Sequence, residues 1–205
     1  MKASPTLIKV CGLTRLDDGA MCLEAGVDYL GLIFASSPRR APEGLGRQFA
    51  QLGASTVGVF RGRSDDDIVR IVEDEEIGIV QLHDPASPAL RDHLERGGVE
   101  VWRAVHAADW RTADLQGARR LLLDGPAPGS GQLADWSGFV PDEVDRPFLI
   151  AGGLTPDNVA AMIDLLHPHG VDVASGVESS PGIKSPELVA RFVTQVRHHP
   201  EEGIE

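Results

Sequence analysis

The feature that most constrains this chain is an alternation: eight short, almost purely apolar runs, separated by amphipathic stretches from one end to the other. The runs fall at 7–10, 29–34, 56–60, 79–82, 99–104, 121–123, 148–151 and 171–174. Runs this brief and continuous suit parallel strands covered on both faces, not half-exposed antiparallel ones. The stretches between them carry helix signals. Thr14 through Asp17 reads as a capping box, with Leu16, Ala20 and Leu23 on one face and Gly26 as the stop. Ser64 through Asp67 repeats the device ahead of Ile68, Ile71 and Val72. Thr155-Pro156 and Ser185-Pro186 each set a cap residue before a proline at the first helical position. Behind them, Val159, Met162, Ile163 and Leu166, then Val189, Phe192, Val193 and Val196, keep helical spacing. Only 107–116 lacks periodicity, which predicts a poor helix or a loop in its place.

Eight strands, each followed by a helix or a stand-in loop, predict an α/β fold: a closed (β/α)8 TIM barrel, a compact single domain over 1–205. A doubly wound open sheet would use the same alternation. Its nucleotide-binding form needs G-x-G-x-x-G after the first strand, whereas this turn reads Cys11-Gly12-Leu13-Thr14-Arg15. At 205 residues the chain can bury one sizeable core. Its formal charge of −12 argues against a nucleic-acid partner, which needs clustered Lys and Arg. The first residues lack the apolar core of a secretory signal, and no run approaches a membrane span, so a cytoplasmic location without a membrane partner is expected. Cys11 and Cys22, with no C-x-x-C, do not form a disulfide scaffold or a zinc ribbon.

Chemistry concentrates where strands end. Cys11 ends the first run, ahead of Gly12 and a helix start, and backbone N–H groups there would lower its thiol pKa and make it a base or nucleophile. Asp124 ends the run of three leucines; buried in an enclosed mouth, its pKa would rise until it can donate a proton. Gly152-Gly153 and Ser175-Gly176 follow strands seven and eight, where barrels of this kind bind phosphate through backbone N–H groups. In Ser37-Pro38-Arg39-Arg40, after strand two, a guanidinium can grip a carboxylate, or it is simply solvated. His83, at the end of strand four, reads equally as a second proton carrier, a stacking surface or a satisfied polar residue. Asp172, inside strand eight, can meet a ribose hydroxyl or serve a structural hydrogen bond. Cys22 reads as packing, and His167, His169, His198 and His199 as surface residues without metal-ligand spacing. The segment 125–134, rich in glycine and proline, is a candidate lid. A thiol, a carboxylate and a phosphate cradle at one barrel mouth imply proton transfer on a phosphorylated sugar.

The segments Lys9-Val10-Cys11-Gly12-Leu13-Thr14, Gly31-Leu32-Ile33-Phe34, Val57-Gly58-Val59-Phe60, Gln81-Leu82-His83 and Ala151-Gly152-Gly153-Leu154 occur in one order and spacing. With Ser37-Pro38-Arg39, Leu122-Leu123-Asp124 and the run from Val171 to Glu178, closed by Pro181-Gly182-Ile183-Lys184, the chain resembles phosphoribosylanthranilate isomerase over nearly its whole length. The resemblance implies an Amadori rearrangement of N-(5-phosphoribosyl)anthranilate in tryptophan biosynthesis, without metal or cofactor, by a monomer or homodimer. It implies Cys11 as general base, Asp124 as general acid, Arg39 at the anthranilate carboxylate, and the last two loops on the phosphate. The chain departs from the family in loop six. There Gly129-Ser130-Gly131-Gln132-Leu133-Ala134-Asp135-Trp136 stands where Gly-Gly-Thr/Ser-Gly-Lys-Thr-Phe-Asp-Trp is usual. Loop two is one residue shorter before Ser-Pro-Arg, which leaves Arg40 as a rival to Arg39. Two other readings compete: a different phosphosugar isomerase or epimerase, and a non-catalytic phosphosugar-binding barrel. The epimerase would want His and Asp metal ligands at several strand ends, which the sequence does not supply.

Overall fold

A computed structural model describes residues 5–125, 136 and 139–198. Eight parallel strands close into a barrel in sequence order: β1 Leu7–Val10, β2 Tyr29–Ile33, β3 Thr56–Phe60, β4 Ile79–Leu82, β5 Glu100–His106, β6 Arg120–Asp124, β7 Phe148–Ile150 and β8 Gly170–Val173. The barrel shuts where β1 pairs with β8, with Lys9 opposite Asp172 and Val10 opposite Val173. Helices α1 Leu16–Glu24, α2 Leu45–Gln51, α3 Asp65–Asp74, α4 Pro88–Arg96, α5 Val159–Leu166 and α6 Pro186–Arg197 surround it. A small antiparallel hairpin, β9 Glu178–Ser180 with β10 Ile183–Lys184, lies between β8 and α6.

The apolar runs are continuous because each strand faces two cores. Outward residues such as Ile8, Val10, Leu30, Leu32, Leu121 and Leu123 pack under the helices in one cluster. Inward residues Val57, Trp102, Ala104, Leu122, Leu149 and Ala151 form a second cluster inside the barrel. The strand period of two separates the sets and sends Lys9, Cys11, Gln81 and Asp172 inward as well. The interior is therefore packed hydrocarbon at mid-height, with polar groups on its β1, β4 and β8 walls.

Strand positions agree with the sequence reading to within two residues. Ser64 and Ser185 cap α3 and α6, their hydroxyls accepting from Asp67 N at 3.2 Å and Leu188 N at 3.3 Å. Both expected helix faces behind Thr155 and Ser185 are buried. Three details differ. The Thr14 hydroxyl donates to the Gly182 carbonyl at 2.6 Å, so no capping box forms and α1 starts after Arg15. Its buried face is Asp18, Gly19 and Cys22, while Leu16 is 38% exposed. The ring of Phe49 sets that face: a Cβ at Gly19 would lie 2.2 Å from it. Thr155 begins a turn rather than a helix. Asn158 Oδ1 accepts from Thr155 N at 2.8 Å and its Nδ2 donates to Gly153 O at 2.9 Å, delaying α5 to Val159.

Where the sequence lacks periodicity, after β5, the described residues make turns instead of a helix. An aromatic cluster covers this wall: Trp110 and Trp136 pack edge-on to Phe139, which packs on Phe148. The candidate lid lies, apart from Gly125, outside the described residues, as does most of loop six.

Candidate active site

The C-terminal ends of the strands open into a cavity of about 220 Å³. Cys11 and Asp172 line it from one side, Asp124 from another, and Gly152, Gly153 and Ser175 from the β7 and β8 loops. Arg39 and His83 complete the rim. An adjoining cavity of similar volume shares Arg61, His83 and Asp124 and extends to Arg103 and His106. The residues singled out in the sequence thus share one mouth, with two exceptions. Arg40 is exposed and bridges the backbone of Ile33, so of the two neighbouring arginines it is Arg39 that lines the cavity. Gly176 does not line the cavity; a Cβ on it would stand 1.9 Å from the Leu154 carbonyl, so its service is to let loops seven and eight touch.

Close approach also explains two other glycines. A Cβ on Gly31 would fall 2.9 Å from Cys11 Sγ, so β2 makes room for the thiol. Gly152 has φ +95°, and a Cβ there would press on Asp124 Oδ1 at 2.9 Å. Gly153, at φ +68°, also takes the left-handed region that favours glycine.

Cys11 is 6% exposed. Burial pushes its thiol pKa up, against the lowering influence of the Lys9 ammonium, and the carboxylate of Asp172 pushes it further. The expected lowering by backbone dipoles is therefore overturned, because desolvation outweighs it. Burial followed by repulsion from Asp172 raises Asp124 to about 6, although Gly125 N donates to its Oδ1 at 2.8 Å. Burial and the nearby cations Arg61, Lys9 and Arg103 lower His83 to about 4, so it stands neutral at pH 7, with Nε2 at 3.3 Å from Gln81 Nε2. A neutral imidazole suits hydrogen bonding or stacking better than carrying a second proton.

Sequence reasoning missed the ionic framework. Lys9 is fully buried and donates to Asp172 Oδ1 at 2.9 Å. Glu178 holds Arg39 in a fork, with Nε and Nη2 donating at 2.8–3.0 Å. The same carboxylate accepts from Lys184 Nζ at 2.8 Å. Lys184 also donates to the carbonyls of Cys11 at 2.7 Å and Ala174 at 3.1 Å. Arg39 thus offers the cavity only the edge Glu178 does not occupy. The signal was there: lysines interrupting apolar segments two residues before Cys11 and inside the terminal hairpin.

Among the described residues, no cluster of three or more His, Cys, Asp or Glu side chains could hold a metal ion, and no helix is long and apolar enough to cross a membrane. A family model described as PRAI, N-(5'phosphoribosyl)anthranilate (PRA) isomerase, matches residues 8–195. A Deinococcus radiodurans protein named N-(5'-phosphoribosyl)anthranilate isomerase is 38% identical, covering 96% of this chain and 99% of its own. A Paracoccus denitrificans protein of the same name is 34% identical over 92% and 95%. The solved structure of monomers generated from the dimeric phosphoribosylanthranilate isomerase of Thermotoga maritima superposes with a TM-score of 0.81 at 30% identity, covering 93% of this chain and 98% of that one. Another such isomerase, solved with reduced 1-(o-carboxyphenylamino)-1-deoxyribulose 5-phosphate, superposes at 0.79 with 28% identity over 93% and 98%.

Proposed function

The chain belongs to the N-(5'-phosphoribosyl)anthranilate isomerase family of tryptophan biosynthesis, and from that premise we propose that Cys11 is its general base and Asp124 its general acid. One observation carries the assignment: a thiol and a raised carboxylic acid line the same cavity, together with the glycine turns of loops seven and eight. The chemistry needs two groups of opposite duty. Asp124 gives its proton to the furanose ring oxygen as the C1'–O bond breaks, and the anilino nitrogen lone pair completes an iminium. That cation acidifies the C2' hydrogen, which the Cys11 thiolate removes. The resulting enolamine ketonises, so the atoms balance without an oxidant or a second substrate. Amides of the β7 and β8 loops hold the phosphate, and the free edge of Arg39 meets the anthranilate carboxylate. Asp172 lines the same wall at the height of the sugar and can accept from a ribose hydroxyl while bound to Lys9, and neutral His83 offers an imidazole face to the ring.

The resting protonation states run against these duties. With Asp124 near 6, roughly a tenth of molecules keep its proton at pH 7. The competent form has the proton on Asp124 and off Cys11. Its share is constant between the two midpoints and falls outside them, which gives a bell with its acid limb near pH 6. The test is consumption of freshly prepared phosphoribosylanthranilate, followed by loss of its fluorescence. Cys11→Ala and Asp124→Asn should each abolish most turnover in a folded protein. Binding without consumption by the unaltered protein would favour the non-catalytic reading.

A further inference from the structure

Lys9 is the largest polar side chain sealed inside the barrel, and the reaction above makes no use of it. It sits two residues before Cys11 on β1, so the alternation of the strand points both side chains into the interior, Lys9 one layer below the sulfur. The β1–β8 register puts Asp172 directly opposite, and one ammonium proton is spent there at 2.9 Å. An ammonium has three donors. Among the described residues Asp172 is the one oxygen that Lys9 reaches, which leaves it donors for the neighbouring thiol, whose charge also acts on it. The other cations near the sulfur are otherwise engaged. Lys184, from β10, has all three donors filled by the Cys11 carbonyl, the Ala174 carbonyl and Glu178. Arg39, from the β2–α2 loop, is forked onto Glu178. Asp124 on β6 is an anion or a neutral acid, and His83 on β4 is neutral at pH 7.

We propose that Lys9 is a positioning residue that lets Cys11 carry negative charge inside the barrel, by sharing its ammonium between Asp172 and the sulfur. The inference rests on Cys11 acting as the base. The chemistry is self-consistent: when the thiolate takes the C2' proton, Lys9 relaxes onto Asp172 as an ordinary buried ion pair, and no proton leaves it. Burial alone would drive the ammonium to lose its proton, but Asp172 and the Cys11 sulfur together hold it charged.

The experiment reads the sulfur directly, without turnover. Alkylation of Cys11 by iodoacetamide is followed by peptide mass spectrometry as a function of pH, with Cys22 as internal control. Lys9→Met should move the Cys11 midpoint upward, leaving about ten- to a thousand-fold less thiolate at a given pH, as expected when an adjacent opposite charge is removed. Asp172→Asn should move it downward, because the competing anion is gone. The double variant Lys9→Met with Asp172→Asn leaves no unpaired buried charge and should fold where the single one does not; its midpoint should still lie above that of the unaltered protein. The plateau of kcat should fall in Lys9→Met by the same factor as the thiolate fraction, with KM little changed. A Cys11 midpoint unmoved in folded Lys9→Met and in the double variant overturns the proposal. If Cys11→Ala keeps normal turnover while the midpoints shift as described, the base assignment fails and the counter-ion role stands as a statement about the thiol alone.

Discussion

Around Cys11, strands β1 and β8 and the β9–β10 hairpin assemble two buried lysines, two carboxylates and a forked arginine. Around Asp124, on β6, the described residues supply one backbone amide at 2.8 Å, the glycine turn of loop seven, and Asp172 acting at a distance to repel charge. Cys11 is buried and Asp124 half-buried, so desolvation raises the pKa of both. The difference lies in what surrounds them. The proposed base has cations built around it, while the proposed acid has, among the described residues, no cation in hydrogen-bond contact. Desolvation thus raises both pKa values, in the useful direction for Asp124 and against the duty proposed for Cys11, where the Lys9 ammonium opposes it.

The largest test of this contrast is to remove its two poles. Cys11→Ala and Asp124→Asn should each reduce kcat by about 10²–10⁴-fold, the usual contribution of a general acid or base, in a fluorimetric assay on folded protein. Asp124→Asn should also lose the acid limb near pH 6, its residual rate climbing through that region until Cys11 ionises. A surviving limb would assign it to another group.

Next in size is the framework itself. Glu178 is 4% exposed at its side chain and neutralises both Arg39 and Lys184. Glu178→Ala strands two cations at the sulfur side and should cost about 3–5 kcal/mol of stability, read in a thermal or denaturant melt. An unchanged melt would mean that the wiring is ornamental. The opposite sign is expected on the acid side. Asp124 has a folded pKa near 6 against an ordinary 3.8, so the native state binds its proton more tightly than the unfolded chain. Stability from this group is full below the unfolded value and is lost as pH rises through the folded one, by an amount on the order of 2–3 kcal/mol. Asp124→Asn should therefore match the unaltered protein near pH 4 and exceed it above pH 6. If the two melts stay parallel across that window, the carboxylate is not held as described.

The smallest effect concerns recognition. Arg39→Ala removes a charge-assisted contact with the substrate carboxylate and should raise KM about ten-fold or more, with kcat less affected. Arg40→Ala should do nothing to KM; the reverse pattern would exchange their roles.

These contrasts mark what could be read from the chain before its fold was known. The eight strands were legible because burial on both faces writes an uninterrupted apolar run, and Cys11 and Asp124 were legible because each ends such a run. The Thr14 cap was misread because its hydroxyl serves Gly182, more than 160 residues away, which no local pattern records. The thiol pKa was given the wrong sign because a helix start is visible in sequence and the degree of burial is not. Lys9 was overlooked for a related reason. A lysine inside a strand reads as an interruption, and only the register with Asp172 turns it into a partner.

The seam between β1 and β8 has a consequence for how such a chain becomes active as it is made. Lys9 meets Asp172 across 163 positions, and the Cys11 carbonyl meets Lys184 across 173. A ribosome releases Lys9 and the cysteine early, and Asp172, Glu178 and Lys184 last. While the nascent chain grows, Lys9 and the thiol have no enclosing chamber, and only the closing of β8 onto β1 brings Asp172 opposite Lys9.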